Sequence, residues 1–179
     1  NINKNNVKGV IIEDSGTTNL YPKWSPDGSK IAFISNKDND YFGQTDLFIY
    51  DLQDSISKKI ISGVKYAPTW VNDSVLIFSM RGSPNKNGSR YFDLYQITIS
   101  ELEDDYFEKN KDQLIKLTED SRLRSPVYNK DQNLIAAIST IDGQSNVFVS
   151  DFNFESQFFF YPKNKFAQFN KLTNFNNQE

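Results

Sequence analysis

Histidine and cysteine are both absent from these 179 residues, and each absence removes a class of chemistry. Without histidine there is no Ser-His-Asp or Cys-His relay to activate a nucleophile, and the commonest zinc ligand is missing. Without cysteine there is neither a disulfide nor a thiolate, and the redox compartment is left open. A surplus of positive charge is lacking too. Twenty Lys and Arg stand against 23 Asp and Glu, a net charge of −3, so no basic field spans the chain to hold nucleic acid. Long apolar runs are also missing: the best candidates are the short Leu47-Phe-Ile-Tyr50 and Phe158-Phe-Phe-Tyr161, against the roughly 20 residues a membrane helix needs. The expectation is a chain that is not itself an enzyme, holds no cofactor, binds no nucleic acid and inserts no helix into a membrane.

Aromatic residues, by contrast, make up 15% of the chain, and part of them recur in a pattern. Tyr21-Pro-Lys-Trp-Ser-Pro-Asp-Gly-Ser-Lys-Ile-Ala-Phe33 returns in altered form at Ala67-Pro-Thr-Trp-Val-Asn-Asp-Ser-Val-Leu-Ile-Phe78, and again at Ser125-Pro-Val-Tyr-Asn-Lys-Asp-Gln-Asn-Leu-Ile-Ala-Ala137. The proline is expected where a strand begins, since a missing N–H is tolerated there. In Ser25-Pro-Asp-Gly28, Pro26 presets φ, Asp27 bonds the chain ahead and Gly28 accepts a positive φ, which together make a turn. Apolar runs then predict second strands at Lys30–Ser35, Val75–Ser79 and Leu134–Ser139. Third strands follow at Asp46–Asp51, Asp93–Thr98 and Asn146–Asp151, and fourth strands at Lys58–Ile61, Leu114–Leu117 and Phe169–Leu172. Four antiparallel strands per unit describe a propeller blade. Pro22 to Pro68 is 46 positions and Pro68 to Pro126 is 58, against roughly 40 to 50 for such repeats, so the second interval holds loop insertions.

On these residues the chain resembles the TolB-type, WD40-like β-propeller family. The first unit is similar to its repeat from Pro22-x-Trp24-Ser-Pro-Asp-Gly28 to Ile31-Ala-Phe33. The second lacks the turn proline and glycine, and the third keeps Pro126, Tyr128, Asp131 and Ile135. The expected fold is all-β, with blades at about 19–62, 66–118 and 124–174 and with 8–13 as the outer strand of an adjoining blade. Three blades do not close a ring of about four to eight. The expectation is therefore a segment of a larger, six-bladed ring, completed by the rest of the propeller or by a second copy that hides the open edges. The resemblance implies a non-catalytic protein-interaction scaffold in the periplasm or cell envelope of a bacterium. It also implies an alternative, part of the substrate-gating propeller of a prolyl-oligopeptidase-like or tricorn-like serine peptidase whose catalytic domain lies elsewhere.

Connections between second and third strands should gather on one face of the ring, bringing together 36–45, 80–92 and 140–145. Tyr41-Phe42 recurs there as Tyr91-Phe92, with Arg81, Lys86 and Arg90 nearby. Tyr with Arg is a mixture enriched at protein interfaces, so Tyr41, Phe42, Arg81, Arg90, Tyr91 and Phe92 are the candidate partner-binding residues. Tyr106 and Phe107 are added from an insertion on the opposite face. The competing reading packs these rings onto their own blade. Glu101, Glu103, Asp104, Asp105 and Glu108 read as a solvated loop rather than an acid/base pair. Asn36-Lys-Asp-Asn-Asp40 with Gly43 and Asp46 is loosely calcium-like, but without a sixth-position Gly or a closing Glu it reads as a polar hairpin loop. The Phe-rich 153–168 is expected to cover a blade edge or pack on a neighbour.

Overall fold

Short β-branched and aromatic runs punctuated by Asn, Asp, Gly and Pro become twelve strands in the computed structural model, which describes residues 17–41, 43–99, 114–141, 143–152 and 168–175. The first sheet contains β1 (Asn19–Trp24), β2 (Lys30–Ser35), β3 (Asp46–Asp51) and β4 (Ile56–Ser62). The second contains β5 (Thr69–Asn72), β6 (Val75–Arg81), β7 (Phe92–Thr98) and β8 (Leu114–Lys116), and the third β9 (Leu123–Asn129), β10 (Leu134–Ser139), β11 (Asn146–Asp151) and β12 (Asn170–Lys171). Each sheet runs in chain order with every pair antiparallel, so each is an up-and-down meander of four strands. The described residues contain no helix. The chain is an all-β propeller segment, as its repeat predicts.

The turn after β1 forms as its residues dictate. Gly28 takes φ 72°, and Asp27 Oδ1 accepts from the Ser25 hydroxyl at 2.6 Å and from the Ser29 amide at 3.0 Å. The prolines sit differently from the expectation. Pro22 and Pro126 lie inside β1 and β9, at breaks of register, and only Pro68 precedes its strand. Tyr21 and Ser125, just before them, take φ 56° and 51°. A bulge on an edge strand tolerates a proline as well as a strand start does, because the ladder is already interrupted there.

Packing between sheets, rather than within one, makes the core. Ala32, Ile34, Leu47 and Ile49 of the first sheet meet Leu76, Phe78, Tyr95 and Ile97 of the second. The opposite face of the second sheet, with Val75, Ile77 and Leu94, meets Ile135 and Ala137 of the third. Val75 to Ser79 are consequently all buried, and a strand covered on both faces reads as an unbroken apolar run. The joints also carry hydrogen bonds: Trp70 Nε1 donates to the Lys23 carbonyl at 2.9 Å, and the Asp27 amide donates to Asp73 Oδ1 at 2.8 Å.

One acceptor repeats at the head of each third strand. Asp46 Oδ1 accepts from the Gly63 amide at 3.0 Å, Asp93 Oδ1 from the Ser121 amide at 2.9 Å, and Asn146 Oδ1 from the Phe175 amide at 2.9 Å. Each closes the turn that leaves its own sheet. The two buried carboxylates are also neutralised from the fourth strand, Asp46 by Lys59 and Asp93 by Lys116. The expected strand at 8–13, the acidic run 101–108 and all but the last residue of the Phe-rich 153–168 lie outside the described residues.

Candidate functional site

In a meander, alternate connections emerge at opposite ends of the sheet. The β2–β3, β4–β5, β6–β7, β8–β9 and β10–β11 connections therefore share one end of all three blades. At that end a cavity of about 600 Å³ opens between the first and second sheets, walled by Tyr41, Gln44 and Thr45, by Ser62 and Lys65, and by Met80, Arg81, Arg90 and Phe92. Four of the sequence-predicted residues thus meet in one place: Tyr41, Arg81, Arg90 and Phe92. Tyr41 is 74% exposed. Tyr91 lies beside this group, whereas Phe42, Tyr106 and Phe107 fall outside the described residues.

Rings and guanidinium groups interleave along the rim. Arg81 stands over Phe92 at 5.2 Å, Phe92 meets Tyr66 edge-on at 5.0 Å, and Arg124 lies over Tyr66 at 5.8 Å. Arg122 covers Tyr91 at 4.3 Å, and Arg124 Nη2 donates to Ser145 Oγ at 3.0 Å, which ties in the β10–β11 connection. The Ser89 hydroxyl and the Arg122 guanidinium beside Tyr91 hold its phenol below the usual tyrosine range. Cation–π placement holds a guanidinium over a ring while leaving its N–H donors for another partner. Lys65, Tyr66, Arg122 and Arg124 were not anticipated. Lys65, Tyr66 and Arg122 lie in the stretches that join blades and Arg124 at the start of β9, and the closeness of two arginines in Arg122-Leu-Arg124 was the signal available.

The calcium-like loop resolves into internal bonds. Asn39 Nδ2 donates to Asp46 Oδ2 at 3.1 Å, the same carboxylate that Lys59 neutralises, and Asn36 Oδ1 accepts from the Thr18 amide at 2.6 Å. Among the described residues no cluster of three or more acidic side chains is placed to hold a metal ion. A smaller cavity of about 160 Å³, against the third sheet and the β8–β9 connection, is lined by Glu119, Ser121, Leu123, Ser139, Ile141, Phe148 and Phe169. No cation stands among its described lining residues, although Arg122 and Arg124 lie on the rim between the two cavities.

No family model and no curated protein matches the sequence. Solved structures do match. TolB from Acinetobacter baumannii is similar over 76% of this chain and 30% of its own, with 23% identity and a TM-score of 0.56. A prolyl endopeptidase is similar over 88% of this chain and 22% of its own, at 15% identity and 0.58. The β-propeller domain of the Trilobed protease from Pyrococcus furiosus, described as having an open velcro topology, is similar over 89% of this chain and 44% of its own, at 16% identity and 0.56. The chain spans less than half the length of each of these structures. Likeness at such identity speaks to fold, and together with three consecutive four-stranded meanders it shows that this chain has the fold of a TolB-type β-propeller segment.

Proposed function

We propose that the chain is part of a non-catalytic propeller scaffold in a bacterial cell envelope, which holds a protein partner at the end where Tyr41, Arg81, Arg90, Tyr91 and Phe92 converge. The observation that carries this reading is the shared cavity of about 600 Å³, in which four candidate residues from two different blades form one wall system. Exposed Tyr and Arg on a rigid frame are the usual anchors of a protein interface, and a sequence with neither histidine nor cysteine offers no nucleophile relay. Likeness to TolB supports the envelope location.

The remaining face of the first sheet supports a second contact, with further blades or another copy. Trp70 is 7% exposed and bonded to the blade before it, whereas Trp24, its counterpart in the repeat, is 54% exposed. An added blade would cover Trp24 as the first covers Trp70.

The test uses the full-length polypeptide in its native cells, with a photo-crosslinking residue in place of Tyr41 or Arg90, and as control in place of Asp54, which is exposed in the β3–β4 turn at the opposite end. The expected result is a discrete protein adduct in the envelope fraction from positions 41 and 90 only. Equal adducts from position 54, or none anywhere, would remove the reading. Labelling of the full-length polypeptide by a serine-directed fluorophosphonate would replace it with the peptidase-gating alternative.

A further inference from the structure

We propose that the cavity between the first and second sheets is a binding site for a short acidic peptide, whose carboxylates pair with Lys65, Arg81 and Arg90 while an apolar side chain enters between Met80 and Phe92. The inference rests on the scaffold reading and adds the chemistry of the partner. Among the described residues, three cations line the cavity and no carboxylate does. That is unusual in a chain with more acidic than basic residues. Three lysines on the sheets are by contrast paired: Lys59 with Asp46, Lys116 with Asp93, and Lys30 with Asp51 at 3.9 Å. Among the described residues, no carboxylate lies within ion-pair distance of Lys65, Arg81 or Arg90. The two nearest buried acids in sequence, Asp46 and Asp93, already have their partners. Asp38 and Asp40 flank the Tyr41 wall and are exposed, but neither lines the cavity.

Geometry favours a peptide over a nucleic-acid backbone. Phosphate tracks need a stripe of cations along which charge repeats, whereas the three cations of this cavity surround an apolar floor, Arg122 and Arg124 further along the rim are each stacked on a tyrosine, and the smaller cavity beyond is lined by Glu119 and, among the described residues, by no cation. The guanidinium of Arg81 is held over Phe92, which orients its N–H fork for bidentate contact with a carboxylate. Phe92 and the half-buried Met80 supply the apolar floor that a side chain between two acidic residues would cover.

The probe is a fluorescein-labelled octapeptide of Asp and Glu around a central Phe, titrated onto the purified full chain and followed by anisotropy. Three comparisons accompany it: the same peptide with Gln and Asn, a peptide of Asp and Glu with Gly at the centre, and a single-stranded oligonucleotide of equal charge. The expected result is saturable binding that weakens with salt, because exposed charges are screened over about 8 Å at 0.15 M. Loss with the Gln and Asn peptide and partial loss with the Gly peptide are also expected. Arg81→Ala with Arg90→Ala should weaken binding about tenfold, from a few-fold for each exposed pair, and Arg90→Glu should weaken it further. Glu119→Gln, on the smaller cavity, should leave it unchanged. Circular dichroism of each variant separates lost binding from lost fold. No saturable binding, or equal binding by the double variant, would overturn the proposal. So would equal binding by the oligonucleotide, which would make the site a general anion surface. If the octapeptide fails while position 41 still crosslinks a protein in cells, the scaffold reading stands and only the acidic chemistry falls.

Discussion

Asp27 shows how much of a turn can depend on one carboxylate. The Ser25 hydroxyl, the Ser29 amide and the Ser29 hydroxyl all donate to it, and these bonds lower its pKa from 3.8 to about 2. A carboxyl with a depressed folded pKa contributes stability that is complete above its ordinary value and is lost as protons bind. The thermal midpoint should therefore fall as pH drops from about 4 towards 2. Asp27→Asn should flatten that part of the profile, as read by circular dichroism melts at fixed ionic strength. Gln96 is the opposite case. It is 1% exposed, and neither atom of its amide has a partner among the described residues. A buried amide without partners costs about 1–3 kcal/mol, and methionine fills similar volume without polar hydrogens. Gln96→Met should raise the melting temperature by about 2–6 °C; an unchanged or lower midpoint would show that the amide is satisfied in solution.

At the scale of the strand, the Asp that heads β3 and β7 is a tie between the third strand and the turn that leaves the sheet. In the sequence Asp46 follows a loosely calcium-like stretch that reads as a polar hairpin loop and opens the third strand, and the structure assigns its carboxylate to Lys59 and the Gly63 amide. Asp46 is fully buried and Lys59 is 30% exposed on its side chain. Removing the cation would leave a buried charge with a weakened set of partners. Lys59→Met is expected to destabilise by about 2–4 kcal/mol, and Asp46→Asn in the same chain should recover most of that loss. The third sheet provides the precedent, since Asn146 stands at this position and still accepts from the Phe175 amide. Urea titrations of the two single variants and the double variant measure the coupling. Additive losses would show that Lys59 and Asp46 act independently. Calcium should shift none of these midpoints.

For the molecule as a whole, the two tryptophans report on two kinds of joint. Trp70 Nε1 ties the second blade to the Lys23 carbonyl of the first, and Trp24 occupies the equivalent place with no blade described beyond it. Trp70→Phe should cost about 1 kcal/mol, the net value of one neutral hydrogen bond plus a small packing loss. Since the chain contains two tryptophans, each single variant isolates the fluorescence of the other. In Trp70→Phe the remaining Trp24 should be readily quenched by acrylamide in the separate chain, and shielded once further blades or a second copy cover it. Trp24→Phe should leave a blue-shifted, poorly quenched Trp70 in either state. Quenching of Trp24 that is identical in the separate chain and in the full-length protein would exclude a blade on that face.

Strand identity was legible along the chain because a blade is assembled from local signals. Turn residues such as Pro26-Asp-Gly28 and apolar runs such as Val75–Ser79 act within a few positions of one another, so the order of strands and the propeller fold follow from the pattern. The position of the prolines was less so, because bulge and strand start satisfy the same missing N–H. The convergence of Tyr41, Arg81, Arg90 and Phe92 was partly legible, through the rule that alternate connections share an end. Arg122, Arg124, Lys65 and Tyr66 joined them only through the way one sheet packs on the next. Charge balance shows the same limit: the composition is acidic overall, yet among the described residues one cavity is lined by three cations and no acid. Net charge is a sum over residues, whereas a site's charge depends on which distant residues packing brings within a few ångströms and which of them it has already paired.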